Sequence, residues 1–184
     1  MTARSARWNV ATRLLHWLSA AAIVAALGLG VWMVRFVDDA AGKFDLYQRH
    51  KTLGAAVFAL AVARLLVRAA TRGPDWPEAM SRARRAAAGA VHGALYASIL
   101  ATAATGYAMV STSPIPLPVA LPGGLSVPNL LAPDFAASER WKFAHLACAI
   151  ALGALAAAHA GAATWHRFVD RDDVLSRMGF GWRA

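Results

Sequence analysis

Four stretches of the chain stay apolar long enough to cross a bilayer: about Leu14 to Val34, Lys51 to Val67, Ala86 to Ser111, and Phe143 to Phe168. A hydrocarbon layer of ~30 Å needs ~20 helical residues, and only helices or closed barrels satisfy the backbone inside it. The pattern predicts an all-α protein, an integral membrane four-helix bundle, with residues 1–184 forming a single domain. The first run is longer than the apolar core of a cleaved leader, and no small-residue cleavage site follows it. It is therefore expected to remain as a span.

The longest polar link, Thr112 to Ser138, holds Pro114, Pro116, Pro118, Pro122, Pro128 and Pro133. That proline density forbids a regular helix. The Leu and Val content of this link places it on the outer membrane surface, as a connector across the end of the bundle.

Charge changes the picture by giving direction. Arg4, Arg7 and Arg13 precede the first span. Arg68, Arg72, Arg82, Arg84 and Arg85 lie between the second and third, and Arg167, Arg171, Arg177 and Arg183 follow the fourth. The other two links are poorer in cations, with Arg35, Lys43 and Arg49 in one and Arg140 and Lys142 in the other. Positive-inside bias then puts both termini in the cytoplasm, which an even number of spans allows. Trp8, Trp17, Trp32, Trp141 and Trp165 fall near span ends, as interfacial anchors do. The net charge of +9 would suit nucleic acid, but its cations sit at the ends of apolar runs in a chain that is 58% hydrophobic. A membrane surface is the expected partner, and nucleic acid is not. The single cysteine, Cys148, permits no intrachain disulfide.

Histidines interrupt the apolar runs at even intervals. Fourteen residues separate His145 from His159, which returns a helix to within roughly 40° of its starting face and advances it by ~21 Å. His166 continues the stripe two turns on. With the spans oriented, His50 and His145 fall in the outer half on different helices, while His16, His92 and His159 fall in the inner half. Polar groups at this depth are expensive and mark functional paths. Paired imidazoles from facing helices are what bis-histidine haem iron requires. A structural zinc would need about four ligands together, and the outer half offers two histidines. Ala149, Gly153, Ala156 and Ala160 leave room beside the stripe for a flat cofactor. Arg64 follows His50 by the same fourteen residues, so it is expected at the level of His159, where a guanidinium can pair with haem propionates or reach towards the cytoplasmic interface.

The strings RLLHWLSA, YQRHKTLGAAVFALAVARLLVR, VHGALYASILATAATGYAMVS and HAGAATWHRFVDRDDVLSRM resemble the bacterial cytochrome b561 family. These are four-helix dihaem proteins of the inner membrane, related to the b-type cytochrome subunits of nickel–iron hydrogenases. The resemblance implies two haem b groups, with His16 and His159 as inner iron ligands and His50 and His145 as outer ones. It leaves His92 beside the inner haem, as a packing residue or one bonded to a propionate. It also implies respiratory electron transport across the bacterial inner membrane, between an outer-face donor such as superoxide and ubiquinone or another quinone. That would make the chain a superoxide:ubiquinone oxidoreductase, with His166 as the quinone candidate. The alternatives are a haem-bearing anchor that passes electrons between quinone and a separate redox subunit, and a non-redox four-helix membrane protein. Arg49, Lys51, Arg140 and Lys142 cluster near His50 and His145, where a cationic collar is expected to bind outer propionates and steer a small anion inwards.

Overall fold

The computed structural model describes residues 7–77 and 80–179. Arg4 and Arg183, which the orientation argument used, lie outside them. Four long helices make up the protein: α1 (Val10–Arg35), α2 (Ala40–Ala70), α3 (Arg82–Ser111) and α4 (Phe135–Trp165). All four are long and apolar enough to span a membrane. Each opens on a side chain that caps the first free backbone N–H groups. Asn9 accepts from Thr12 N at 2.8 Å, Asp39 from Gly42 N at 2.6 Å, Ser81 from Arg84 N at 3.3 Å, and Asp134 from Ala137 N at 3.0 Å.

Two helices begin well before the spans read from hydropathy. α2 starts at Ala40 and α4 at Phe135, so α2 carries about three extra turns beyond the apolar run and α4 about two. Hydropathy locates the part of a helix that meets lipid, whereas capping locates where the helix starts. The large apolar side chains that remain exposed, among them Val24, Leu66, Phe143 and Ile150, form the outward face that a bilayer would cover.

The interior is thin and layered. Among the described residues its buried apolar cluster is Ile23 from α1, Val57 and Ala61 from α2, Ile99 from α3 and Leu152 from α4, with Ala22, Ala26, Leu27 and Leu95 against it. Four of these residues stand seven positions after a histidine: Ile23 after His16, Val57 after His50, Ile99 after His92, and Leu152 after His145. Leu152 also stands seven before His159. Seven residues are two turns, a drift of only ~20°, so each histidine shares a stripe with a core residue ~10.5 Å away. The apolar cluster is thus a plug between two levels of imidazole.

The helices do not pack evenly. α1 packs on α2, α2 on α3, and α3 on α4, while α1/α4 and α2/α4 are not among the closely packed pairs of the described residues. These two looser pairs are the ones that carry the facing histidines.

The proline-rich link is a built strap. Its strands β1 (Val119–Ala120) and β2 (Ser126–Val127) pair antiparallel, Val119 with Val127 and Ala120 with Ser126. Gly123 and Gly124 take the positive φ of 79° and 78° that the turn requires. Lys51 Nζ donates to the carbonyls of Leu117 and Pro118, and Thr52 Oγ1 to that of Ala120. Tyr107 Oη donates to the Pro128 carbonyl and accepts from Leu130 N. The link therefore crosses the bundle end that carries His50 and is fastened to both α2 and α3. At the opposite end the tail returns beneath α1. Trp17 Nε1 donates to the Met178 carbonyl at 2.9 Å, and Arg13 to the Gly179 carbonyl at 2.7 Å. Arg177 reaches the Asp75 carbonyl.

If the plug holds the two levels apart, removing its best-buried large side chain should loosen the whole bundle. Leu152→Ala is expected to lower unfolding free energy by about 2–4 kcal/mol, read as a fall in the thermal midpoint of the detergent-solubilised protein. An unchanged midpoint would show that the cluster carries no packing energy.

Candidate functional site

The outer level forms where α2 and α4 face each other. The ring centres of His50 and His145 stand 6.1 Å apart with planes at 88°. His145 Nδ1 lies 2.9 Å from the Thr102 carbonyl oxygen. A carbonyl can only accept, so Nδ1 carries the proton and Nε2 keeps its lone pair. Metal-binding histidines are held by such a bond. His50 Nδ1 is buried without a well-formed hydrogen bond among the described residues, although it faces the backbone of Ala26.

Both rings press against glycines. A Cβ at Gly106 would lie 2.9 Å from His145 Cε1, and one at Gly30 would lie 3.3 Å from His50 Cε1. Helix α3 and helix α1 thus give up side chains where the two imidazoles lie. Gly153 is different: a Cβ there would make only an ordinary contact with Leu27, at 3.7 Å.

The inner level has three imidazoles. His16 and His159 stand 6.2 Å apart between ring centres, and His92 and His159 stand 5.0 Å apart. Arg64 reaches this level as its spacing predicted, with a guanidinium nitrogen 3.2 Å from His16 Nδ1 and its carbon 5.2 Å from the centre of the Tyr96 ring. His92 Nδ1 donates to the Ala88 carbonyl, 2.7 Å away and one turn back on the same helix.

The ring separations distinguish these pairs. Two imidazoles on opposite sides of one metal have ring centres about 6.3 Å apart, since each metal–nitrogen bond takes ~2.0 Å and each ring centre lies ~1.2 Å behind its nitrogen. The 6.1 Å and 6.2 Å pairs match that span, and the 5.0 Å pair is too close for it. The arrangement can accept one hexacoordinate metal group at each level, held from the fourth helix on one side and from α1 or α2 on the other.

His166 lies two turns beyond His159, on a single π-helical turn, His166–Asp170, that ends α4. Its Nδ1 is 2.6 Å from Asp172 Oδ2 and 3.4 Å from Asp170 Oδ2. The cationic collar expected around the outer pair is largely engaged elsewhere. Arg49 pairs with Asp45 at 2.8 Å, Lys142 with Glu139 at 3.2 Å, and Lys51 donates into the strap. Arg49 and Lys142 each have a carboxylate one turn away on the same helix, which weakens the field they present.

Sequence reasoning missed several contributors. Thr102 acts through its backbone, which no side-chain pattern reveals. Gly106, Tyr96 and Asp172 had visible signals: a glycine inside an apolar helix, an aromatic one turn after His92, and a carboxylate close behind His166.

A bundle of membrane helices with imidazoles paired across its looser helix interfaces, on either side of an apolar plug, is the frame of a b-type membrane cytochrome. The model of the prokaryotic cytochrome b561 family matches residues 7–181, and the chain belongs to that family. It is also 31% identical over 172 residues to cytochrome b561 homolog 2 of Escherichia coli, an alignment covering 94% of this chain and 90% of that protein. The chain is therefore a multi-pass membrane protein of an electron-transfer family whose cofactor is haem b. The residues present fit that group. They offer nitrogen donors in pairs at metal-spanning distance, a pinned tautomer at His145, an orphaned ring nitrogen at His50, and glycines against both outer rings.

The glycines give a direct check. Gly106→Ala is expected to displace His145 and to lower the reduced b-type α band. Gly28→Ala, where a Cβ meets nothing within 4 Å, should leave the band intact. Equal spectra for the two variants would remove Gly106 from the site.

Proposed function

We propose that the chain holds two haem b groups, one between His50 and His145 and one between His16 and His159, and carries electrons across the bacterial inner membrane with both termini in the cytoplasm. The observation that carries this reading is the pair of 6.1 Å and 6.2 Å imidazole separations on opposite sides of one buried plug. The donor would be superoxide at the outer face and the acceptor ubiquinone at the inner face, beside His166. Haem b, when bound, supplies one-electron redox chemistry that no side chain here can provide.

The protein's own groups do the rest. Helix α4 fixes the two levels ~21 Å apart along its axis, which divides the crossing into shorter steps. The Thr102 carbonyl holds the His145 proton on Nδ1, so that Nε2 faces its partner. Arg64 donates to His16 Nδ1, which puts the His16 proton on Nε2. Binding through Nε2 requires that proton to move to Nδ1 and Arg64 to let go. The freed guanidinium then becomes available to a propionate at the same level. His92, too near His159 to share a metal with it, lines the inner site.

Most of the outer collar is already partnered, which favours a second role. With Arg49 and Lys142 already paired to carboxylates, attraction of a small anion loses support. A haem-bearing anchor passing electrons between quinone and a separate redox subunit gains it.

Haem content tests the ligand assignment. His16→Ala and His50→Ala are each expected to lose about half the haem, as removal of one axial ligand from one of two sites implies. His92→Ala should retain nearly all of it. Full retention in His16→Ala with loss in His92→Ala would reverse the inner pair. Stopped-flow mixing of the oxidised protein with superoxide then separates the two readings. Haem reduction that ubiquinone reverses is expected for the oxidase, and absence of reduction points to the anchor.

A further inference from the structure

One cluster of titratable groups lies outside the paired imidazoles. His166, Asp170 and Asp172 close around a cavity of about 270 Å³ whose remaining walls are Pro77, Met80 and Arg84. The backbone builds this cluster deliberately. After the π turn Arg171 takes a left-handed conformation, φ 53° and ψ 36°, which a non-glycine residue adopts only when its surroundings impose it. The chain doubles back, and Asp172 N donates to the His166 carbonyl at 3.1 Å. The same residue's Oδ1 accepts from Val174 N at 3.0 Å, leaving Oδ2 directed at His166 Nδ1, 2.6 Å away. Asp170 is 3.4 Å from that nitrogen, and Arg84 from α3 holds it at 2.9 Å.

The three side chains place potential ligand atoms within 4.8 Å of one another, so a metal must be weighed against a proton. A cation bonded to both Nδ1 and Oδ2 at ~2.0–2.2 Å would spread those atoms to about 3 Å or more. They are 2.6 Å apart, the distance of a direct charge-assisted hydrogen bond. Arg84 also places a fixed positive charge on one of the three would-be ligands. The geometry favours a proton on Nδ1, donated to Asp172.

We infer that Asp172 is a positioning residue that holds His166 as a proton donor and acceptor for the quinone carbonyl oxygen, with Asp170 and Arg84 forming the adjoining charged wall. The inference rests on the reading that His166 faces a quinone. Reducing a quinone to its quinol takes two electrons, supplied along the haem path, and two protons, one on each carbonyl oxygen. The charged imidazole gives one proton from Nε2 and becomes the neutral ring that keeps its Nδ1–H bond to Asp172. A proton from cytoplasmic water restores the charge, and a second proton from that water reaches the other oxygen. Quinol oxidation runs the same steps backwards. Without Asp172 the neutral ring is free to place its proton on Nε2 and can no longer accept one there, the failure seen when the carboxylate of a His–Asp pair is replaced by an amide.

The test uses the haem-loaded protein in nanodiscs with a short-chain ubiquinone. Asp172→Asn is expected to slow quinone-linked haem oxidation by about 100-fold, the lower end of general acid–base assistance, with KM for the quinone little changed. Asp172→Glu should recover much of the rate, and it serves in place of the amide variant if that protein fails to assemble. Asp38→Asn, an exposed carboxylate at the other end of the bundle, should change the rate little. A readout independent of turnover is the ¹⁵N spectrum of histidine-labelled protein, with His166→Gln identifying the resonance. His166 is expected to carry its neutral-state proton on Nδ1, and Asp172→Asn to shift it to Nε2. Wild-type His166 found with that proton on Nε2, or a full rate in Asp172→Asn, overturns the positioning role. Should His166→Gln itself leave quinone kinetics unchanged, the quinone reading of His166 fails first and this inference with it.

Discussion

An imidazole at bilayer depth must have both nitrogens occupied, because an unsatisfied polar group there costs several kcal/mol. That demand organises the bundle. Each paired ring can give one nitrogen to the protein and one to the space between helices. His145 does so visibly through the Thr102 carbonyl, and His50 does so incompletely. The plug of Ile23, Val57, Ala61, Ile99 and Leu152 then keeps the two levels apart. It also accounts for the uneven helix packing. Where α4 faces α1 and α2 across the paired imidazoles it packs loosely, and its close neighbour is α3, which offers Gly106 to the ring of His145.

Because the plug residues and the histidines share stripes at seven-residue steps, the levels were legible without coordinates. Spacing placed His50 with His145, and Arg64 with the inner level, since a helix converts sequence interval into height with little ambiguity. What spacing could not resolve was which inner imidazole faces His159. His16 and His92 share that height, and their difference, 6.2 Å against 5.0 Å, depends on how far apart the helices stand. Helix separation is set by packing and is not written in any one segment. The helix starts at Ala40 and Phe135 were hidden for another reason: hydropathy reports lipid contact, while Asp39 and Asp134 report the end of the hydrogen-bond ladder. The strap was legible as a break in helix and illegible as structure, because its anchors, Lys51, Thr52 and Tyr107, lie far away in sequence on α2 and α3.

The two ends of the bundle differ in a way that suits different chemistry. At the end near His50, Arg49 and Lys142 are paired with nearby carboxylates, Lys51 donates to the strap, and the hairpin lies fastened across the helices. At the end near His166, a cavity opens beside an imidazole whose one nitrogen is already tied to Asp172. Removing an electron from superoxide yields dioxygen and moves no proton, so a donor site of that kind needs proximity and little else. Reducing a quinone consumes two protons for every two electrons, so its site needs a group that exchanges protons and a route to water. The charged, partly exposed cluster of His166, Asp170, Asp172 and Arg84 meets that need, whereas the strapped end offers no comparable group among the described residues. The asymmetry of the ends therefore matches the proposed direction, with bare electron exchange outside and proton-coupled exchange within. It does so on grounds independent of the imidazole spacing that suggested two haems in the first place.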